Sequence, residues 1–305
     1  MPEGPRGTWA TVLLPIGEDD RIDWGALEEQ VRRLAASGVD GVYTNGSSGE
    51  FWAQTEEEFE RLTALVADVC GAAGVPFQIG AAHPSPQAAL DRLRRARAYG
   101  PAAVQVILPD WFAPSDEEAC AYLRRMADEA APVPLVLYNP PHAKRVLTPA
   151  GHLRLLDAVP EVVGVKVGDG DAAWYADMAG VCARAAVFVP GHHLATGYRQ
   201  GAAGAYSNVA CLSPEGAVRW WRMITTDPPA AEDVERRLRA FLDAEVLPLR
   251  AAHGYCNAAL DKLLAAIGGW APLPTRMRWP YAGVPEELVP DLRARARERL
   301  PELLA

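Results

Sequence analysis

The strongest constraint on this chain is a repeat. A short apolar, often β-branched run is followed by a segment with apolar residues at helical spacing, eight times in about 225 residues. The expected pairs are Trp9–Pro15 with 24–37, Gly41–Asn45 with 55–72, Phe77–Gly80 with 86–98 and Val104–Leu108 with 115–130. Pro134–Tyr138 with 148–157, Val162–Lys166 with 171–184, Val187–Pro190 with 193–200 and Ala203–Ser207 with 213–225 complete the set. Thr55 with Glu58 three residues on marks the start of the second helix as a capping box. Strands alternating with helices at this pace form βαβ units and a parallel sheet, and eight of them close most simply into a (β/α)8 TIM barrel. An open doubly wound sheet usually carries a glycine-rich turn after its first strand, whereas this strand runs into Leu13-Leu14-Pro15-Ile16-Gly17-Glu18. The expected class is therefore α/β: a barrel over residues 1–226, then a helical extension over 227–305 with helices near 230–246, 255–267 and 285–304. A loop rich in Pro, Trp and Arg, Gly269–Tyr281, joins the last two. No flexible linker precedes the extension, so it should pack on the barrel.

Composition narrows the partners. A formal charge of −9 argues against nucleic acid or an anionic membrane, which both favour a basic face. The five cysteines are scattered and lack CxxC spacing, which fits a reducing cytoplasm better than a disulfide framework or a zinc ribbon. No basic start followed by an apolar core suggests a signal peptide, and no apolar run reaches the ~18 residues of a membrane span. A soluble, cytoplasmic protein acting on a small molecule is expected.

Barrel enzymes work at the carboxyl ends of their strands. Here those ends carry Gly46-Ser47-Ser48-Gly49-Glu50 after strand two, Tyr138-Asn139-Pro140-Pro141-His142 at strand five and Lys166 at strand six. Gly191-His192-His193 follows strand seven and Tyr206-Ser207-Asn208 closes strand eight. Lys166 stands out because the chain has only three lysines, Lys144, Lys166 and Lys262, among 30 Lys and Arg residues. Arg keeps its proton in proteins; a desolvated Lys can lose one and attack a carbonyl to form a Schiff base. The plainer reading is an ion pair with Asp169 or Asp171 at the strand end. Ser47 and Ser48, with the backbone N–H groups around Gly46, suit a carboxylate, and Tyr138 could relay a proton. An ordinary Gly/Ser loop and a core tyrosine are the plainer readings of the same residues.

Together these features resemble the N-acetylneuraminate lyase / dihydrodipicolinate synthase superfamily of class I, Schiff-base aldolases. The resemblance is carried by GSSGE at 46–50, YNPP at 138–141 and GVKVGDGD at 164–171, each at its expected strand end. TWATVLLP with Asp20-Arg21-Ile22-Asp23 at the start and Gly201–Pro214 at the eighth strand extend it over nearly the whole chain. It implies that Lys166 forms an imine with a 2-oxo acid, typically pyruvate, and that Ser47 and Ser48 hold the carboxylate. It further implies that Tyr138 relays protons, that no cofactor or metal takes part, and that the chain assembles as a homotetramer. Gly46, Tyr206, Trp111, His142, Lys144 and His192 are the further candidates for substrate contact.

Two departures bear on the substrate. Trp111, in Leu108-Pro109-Asp110-Trp111-Phe112, stands where dihydrodipicolinate synthases place a tyrosine lent to the neighbouring subunit; an indole N–H donates but cannot relay a proton. Ala143 stands where those synthases place an arginine for the distal carboxylate, leaving Lys144 or Arg145 to substitute or the substrate's far end uncharged. Both favour another 2-oxo-acid or sugar-acid aldolase or dehydratase over 4-hydroxy-tetrahydrodipicolinate synthase. Trp111 and Phe112 read either as an aromatic wall for an apolar acceptor or as subunit-interface packing. His192 and His193 either bind substrate hydroxyls or fill the turn. Two rivals come from other classes: a divalent-metal aldolase built on His83, His142, His192 and His193, and a barrel that binds a 2-oxo acid as a non-catalytic sensor.

Overall fold

The computed structural model describes residues 4–304. Eight parallel strands close into a barrel in sequence order: β1 (Gly7–Thr11), β2 (Gly41–Thr44), β3 (Phe77–Gly80), β4 (Ala103–Ile107), β5 (Leu135–Tyr138), β6 (Val162–Lys166), β7 (Ala186–Pro190) and β8 (Gly204–Tyr206). The C-terminal helices follow, so the fold is the (β/α)8 barrel with a helical extension. The first strand starts two residues and ends four residues earlier than its apolar run suggests. Val12–Pro15 beyond it stays buried, with the Val12 N–H still bonded to the Tyr43 carbonyl at 2.8 Å. A short helix, Asn208–Leu212, carries no amphipathic signal and escapes the sequence reading.

Two apolar layers build the core. Side chains alternate across each strand, so one set faces the helices and the other the barrel axis. The outer set merges with the helix faces into one large cluster; the inner set is a small group containing Trp9, Tyr43, Val136, Phe188 and Tyr206. Glycine makes room for these rings. A Cβ at Gly41 would lie 2.4 Å from the Trp9 ring, so a side chain there would expel the indole from the axis.

Register puts the chemistry side by side. Tyr138 and Lys166 are paired across β5 and β6, and Lys166 also faces Phe188 on β7. The helix Glu56–Ala73 opens with the expected capping box of Thr55 and Glu58. Glu58 also binds Arg278 of the extension at 2.6 and 2.8 Å, which ties that segment to the barrel rim. In the extension, the helix Pro228–Phe241 runs through a wider π turn, Leu242–Val246, into the helix Leu247–His253. Pro248 lacks the N–H that a regular helix needs there, which accounts for the widened turn before it. The helix Asn257–Gly268 then passes over the carboxyl ends of the strands and packs on Asn208–Leu212. Among the described residues no helix is long and apolar enough to cross a membrane.

Candidate active site

Lys166 projects from the end of β6 into a cavity of about 300 Å³. Its Nζ lies 4.1 Å from the Tyr138 ring centre, 5.2 Å from Tyr206 and 5.7 Å from Tyr43. The aromatic faces stabilise an ammonium, but desolvation outweighs them. Burial pulls the amine's pKa down to about 8, against a smaller opposing pull from Asp261. At pH 7 roughly one lysine in ten is then neutral, against one in a few thousand for a free lysine.

The loop after β2 sits beside it. Gly46 crosses the face of Tyr43, where a Cβ would come within 2.3 Å of the ring, so only glycine allows this path. Ser47 and Ser48 both line the cavity. Tyr138 lines the same cavity, and its phenol is pushed up to about 12 by burial; the nearby Ser47 hydroxyl opposes that rise and the Asp261 charge adds to it. Tyr138 is thus protonated at neutral pH and lies beside a hydroxyl that can pass a proton onward. Tyr206 is held below by Gln78, which accepts its hydroxyl at 2.5 Å.

The remaining candidates divide. His192 lines the same cavity, with Asn208 3.0 Å from its Nδ1; burial drives its pKa down to about 4, so the ring is neutral. His142 is exposed at the edge of a second cavity, also about 300 Å³, which shares Ser47, Tyr138, Arg250 and Asn257 with the first. Phe51, Trp52, Ile107, Leu108 and Pro140 give this second space an apolar wall. Lys144 and Trp111 line neither cavity. The Lys144 amine donates to the Trp111 carbonyl at 2.7 Å and lies over the Trp111 ring, while Trp111 and Phe112 are 74% and 80% exposed in the single chain. Arg145 is paired with Asp116.

The strand-end ion pair is not formed. Asp169 accepts from the Tyr175 hydroxyl and lies 2.9 Å from His193 Nδ1, and Asp171 caps the helix Ala172–Cys182 through the Trp174 N–H. Nor do the four rim histidines converge: among the described residues no group of three or more His, Cys, Asp and Glu side chains could hold a metal.

The sequence reading missed what the extension contributes. Asp261, Asn257, Arg250 and Leu260 all line the Lys166 cavity. Asp261 accepts a hydrogen bond from Ser48 Oγ, and burial raises its pKa to about 6 against the opposing effects of Ser48 and Lys166. One residue on, Lys262 forms a fully buried ion pair with Glu50 of the same β2 loop. A signal was present: Asp261-Lys262 is a charged pair inside the otherwise apolar run Ala258–Ile267, where charge needs a buried partner.

The model of the dihydrodipicolinate synthetase family matches residues 5–250. N-acetylneuraminate lyase of Citrobacter koseri is 30% identical over 172 residues, and that of Salmonella paratyphi B is 29% identical over the same length. Each match covers 56% of this chain and 57% of the lyase, so little more than half the length of these relatives is matched. Among solved structures, Escherichia coli K12 YagE, a dihydrodipicolinic acid synthase family protein in complex with pyruvate, superposes with a TM-score of 0.82 at 21% identity, covering 96% of this chain and 98% of that one. A catalytic lysine mutant of Ruminococcus gnavus sialic acid aldolase gives 0.83 at 19% identity, covering 98% and 96%. At such identities the structural likeness concerns the fold.

Proposed function

This chain belongs to the dihydrodipicolinate synthetase family, and from that premise we propose that it is a class I lyase that makes or breaks a bond of a pyruvate-type 2-oxo acid through an imine on Lys166. The observation that carries this reading is the Lys166 amine, poised near neutrality among tyrosine rings, with Tyr138 as its neighbour in register. Neutral Nζ attacks the keto carbon and gives a carbinolamine. Tyr138, beside Ser47, delivers a proton to the departing hydroxyl, which leaves as water. The resulting iminium accepts the electron pair of the cleaved bond as an enamine; condensation runs the same steps in reverse. Ser47 and Ser48 seat the carboxylate, with Gly46 keeping the loop close, and His192 and Tyr206 bound the space around the keto carbon.

The distal end of the substrate is read elsewhere. Ala143 supplies no charge, and Lys144 and Arg145 are engaged with Trp111 and Asp116. The second cavity beyond Tyr138 is walled by Phe51, Trp52 and Ile107. Arg250 also lines that cavity, so what disfavours 4-hydroxy-tetrahydrodipicolinate synthase is Ala143 together with the engaged Lys144 and Arg145, which leave the synthase's own distal-carboxylate position without a cation. The direct test is incubation with pyruvate and borohydride, followed by intact mass and peptide mapping. One reduced pyruvate on Lys166 is expected. No adduct, with chelator-sensitive activity, would refute the imine; an adduct without turnover on a broad aldehyde and 2-oxo-acid panel would favour a sensor.

A further inference from the structure

A carboxylate of the protein already engages one hydroxyl of the proposed carboxylate seat. Ser48 Oγ donates its hydrogen to Asp261, while Ser47 lines the cavity beside Tyr138. The Ser48 hydroxyl is therefore committed before any ligand arrives. An ionised Asp261 would take the hydrogen a substrate carboxylate needs and would place a second negative charge against it in a desolvated cavity. The backbone is anchored there: the adjacent Glu50–Lys262 pair joins the same loop to the same helix, so the helix cannot draw Asp261 away from the loop without breaking a buried ion pair.

We propose that Asp261 is a protonation gate on this site: a substrate carboxylate enters the Ser47/Ser48 seat only when Asp261 carries a proton. Resting on the imine reading, the proposal adds a group outside the barrel that decides when the seat is open. The proton comes from solvent. Protonated Asp261 donates to Ser48 Oγ, the Ser48 hydroxyl turns to the incoming carboxylate, and the net change on binding is one proton taken up and no bond broken. Asp261 is a positioning residue, since it acts through Ser48.

Apart from Lys166, the other charged and titratable groups lining the cavity do not change state in the relevant range. Burial holds His192 neutral, pushing its pKa down to about 4, and keeps the Tyr138 phenol and the Cys211 thiol protonated by raising theirs. Arg250 from the helix Leu247–His253 is a fixed cation, 3.0 Å from Asn257. Lys166, at about 8, is mostly an ammonium below pH 7.5. Forming an iminium from an ammonium neither takes up nor releases a net proton, so Lys166 adds only about a twofold weakening between pH 6 and 8, from its neutral fraction at the upper end. Asp261, at about 6, is the group that titrates there. Its free-enzyme pKa is the midpoint: binding is strongest below it and weakens about tenfold per pH unit above it.

The test measures half-saturation by pyruvate at pH 6, 7 and 8, read as the fraction of chain carrying a cyanoborohydride-trapped adduct on Lys166. For the wild type we expect an increase of roughly a hundredfold from pH 6 to 8, about fiftyfold of it from Asp261, and, by calorimetry in two buffers at pH 7, uptake of about one proton per pyruvate. Asp261→Asn should bind more tightly at pH 8, with half-saturation flat within about threefold. A purely structural role for Asp261 would lower affinity in the variant at every pH and leave the slope unchanged. An adduct on Lys166 with a flat wild-type profile and no proton uptake overturns the gate and leaves the imine reading intact. No adduct at any pH overturns the imine reading and the gate with it. The wild-type profile decides alone if the variant does not fold.

Discussion

Replacing Lys262 by Met isolates what holds the β2 loop to the extension. Both partners of the Glu50–Lys262 pair have fully buried side chains, the Lys262 amine also donates to the Arg276 carbonyl at 2.6 Å, and Glu50 accepts the Arg278 N–H at 3.0 Å. Met keeps the unbranched stem and removes the charge. Stripping one partner from a buried pair typically costs about 3–5 kcal/mol. A bound on that cost comes from the alternative open to the orphaned carboxylate, which is to take a proton. Protonating a glutamate with a solution pKa of ~4.3 costs about 3.7 kcal/mol at pH 7 and about 1 kcal/mol at pH 5. The expected loss is therefore about 3–4 kcal/mol at pH 7, shrinking to about 1–2 kcal/mol at pH 5 where the carboxyl protonates cheaply. Burial lowers the Lys262 pKa despite the opposing pull of Glu50, so desolvation exceeds the attraction within the pair. Glu50→Gln combined with Lys262→Met should accordingly return to within about 1–2 kcal/mol of the wild type. Urea denaturation at fixed chain concentration, followed by circular dichroism at both pH values, measures all three variants. A single-variant loss below 1 kcal/mol, or one equal at pH 5 and pH 7, would refute the reasoning.

Two further outcomes follow from the site and from the rim. Tyr138→Phe should still yield the borohydride-trapped adduct at saturating pyruvate but turn over about 10²–10⁴-fold more slowly, because the amine remains and the proton relay is lost; wild-type kcat in this variant would remove the relay role. We propose that the exposed Trp111 and Phe112 are covered by a second copy in a homotetramer; sedimentation equilibrium should give the tetramer mass for the wild type and a smaller species for Trp111→Ala, and a monomeric wild type would contradict the assignment.

The barrel was legible because its signal is local and repeated. Each strand is a short apolar run bounded by a turn, and errors at single boundaries, such as the early start of β1, do not change the count of eight. The strand-end residues were legible for the same reason: once the strands are placed, Tyr138 and Lys166 must lie at one end of the barrel, and their register pairing follows from neighbouring positions in a parallel sheet. Trp111 and Lys144 were harder because they sit in loops. A motif position fixes where a loop starts, but where its side chains point depends on contacts such as Lys144 with the Trp111 carbonyl, which leave no periodic trace.

The extension shows the other limit. Its helices are visible as helices, yet nothing periodic says which face of Asn257–Gly268 meets the strand ends, because an apolar helix packed on several sides has no single stripe. What sets its orientation is the pair of charges in the middle. Lys262 cannot be buried without Glu50, and Glu50 is held by the loop that also carries Ser47 and Ser48. Once that pair forms, the residue before Lys262 is delivered to Ser48. The same constraint that secures the fold places a carboxylate on Ser48, one of the two hydroxyls proposed to seat the substrate's own carboxylate. Stability and substrate binding thus meet in adjacent residues with opposite requirements: Lys262 must keep its partner charged, and Asp261 must lose its charge for the seat to open.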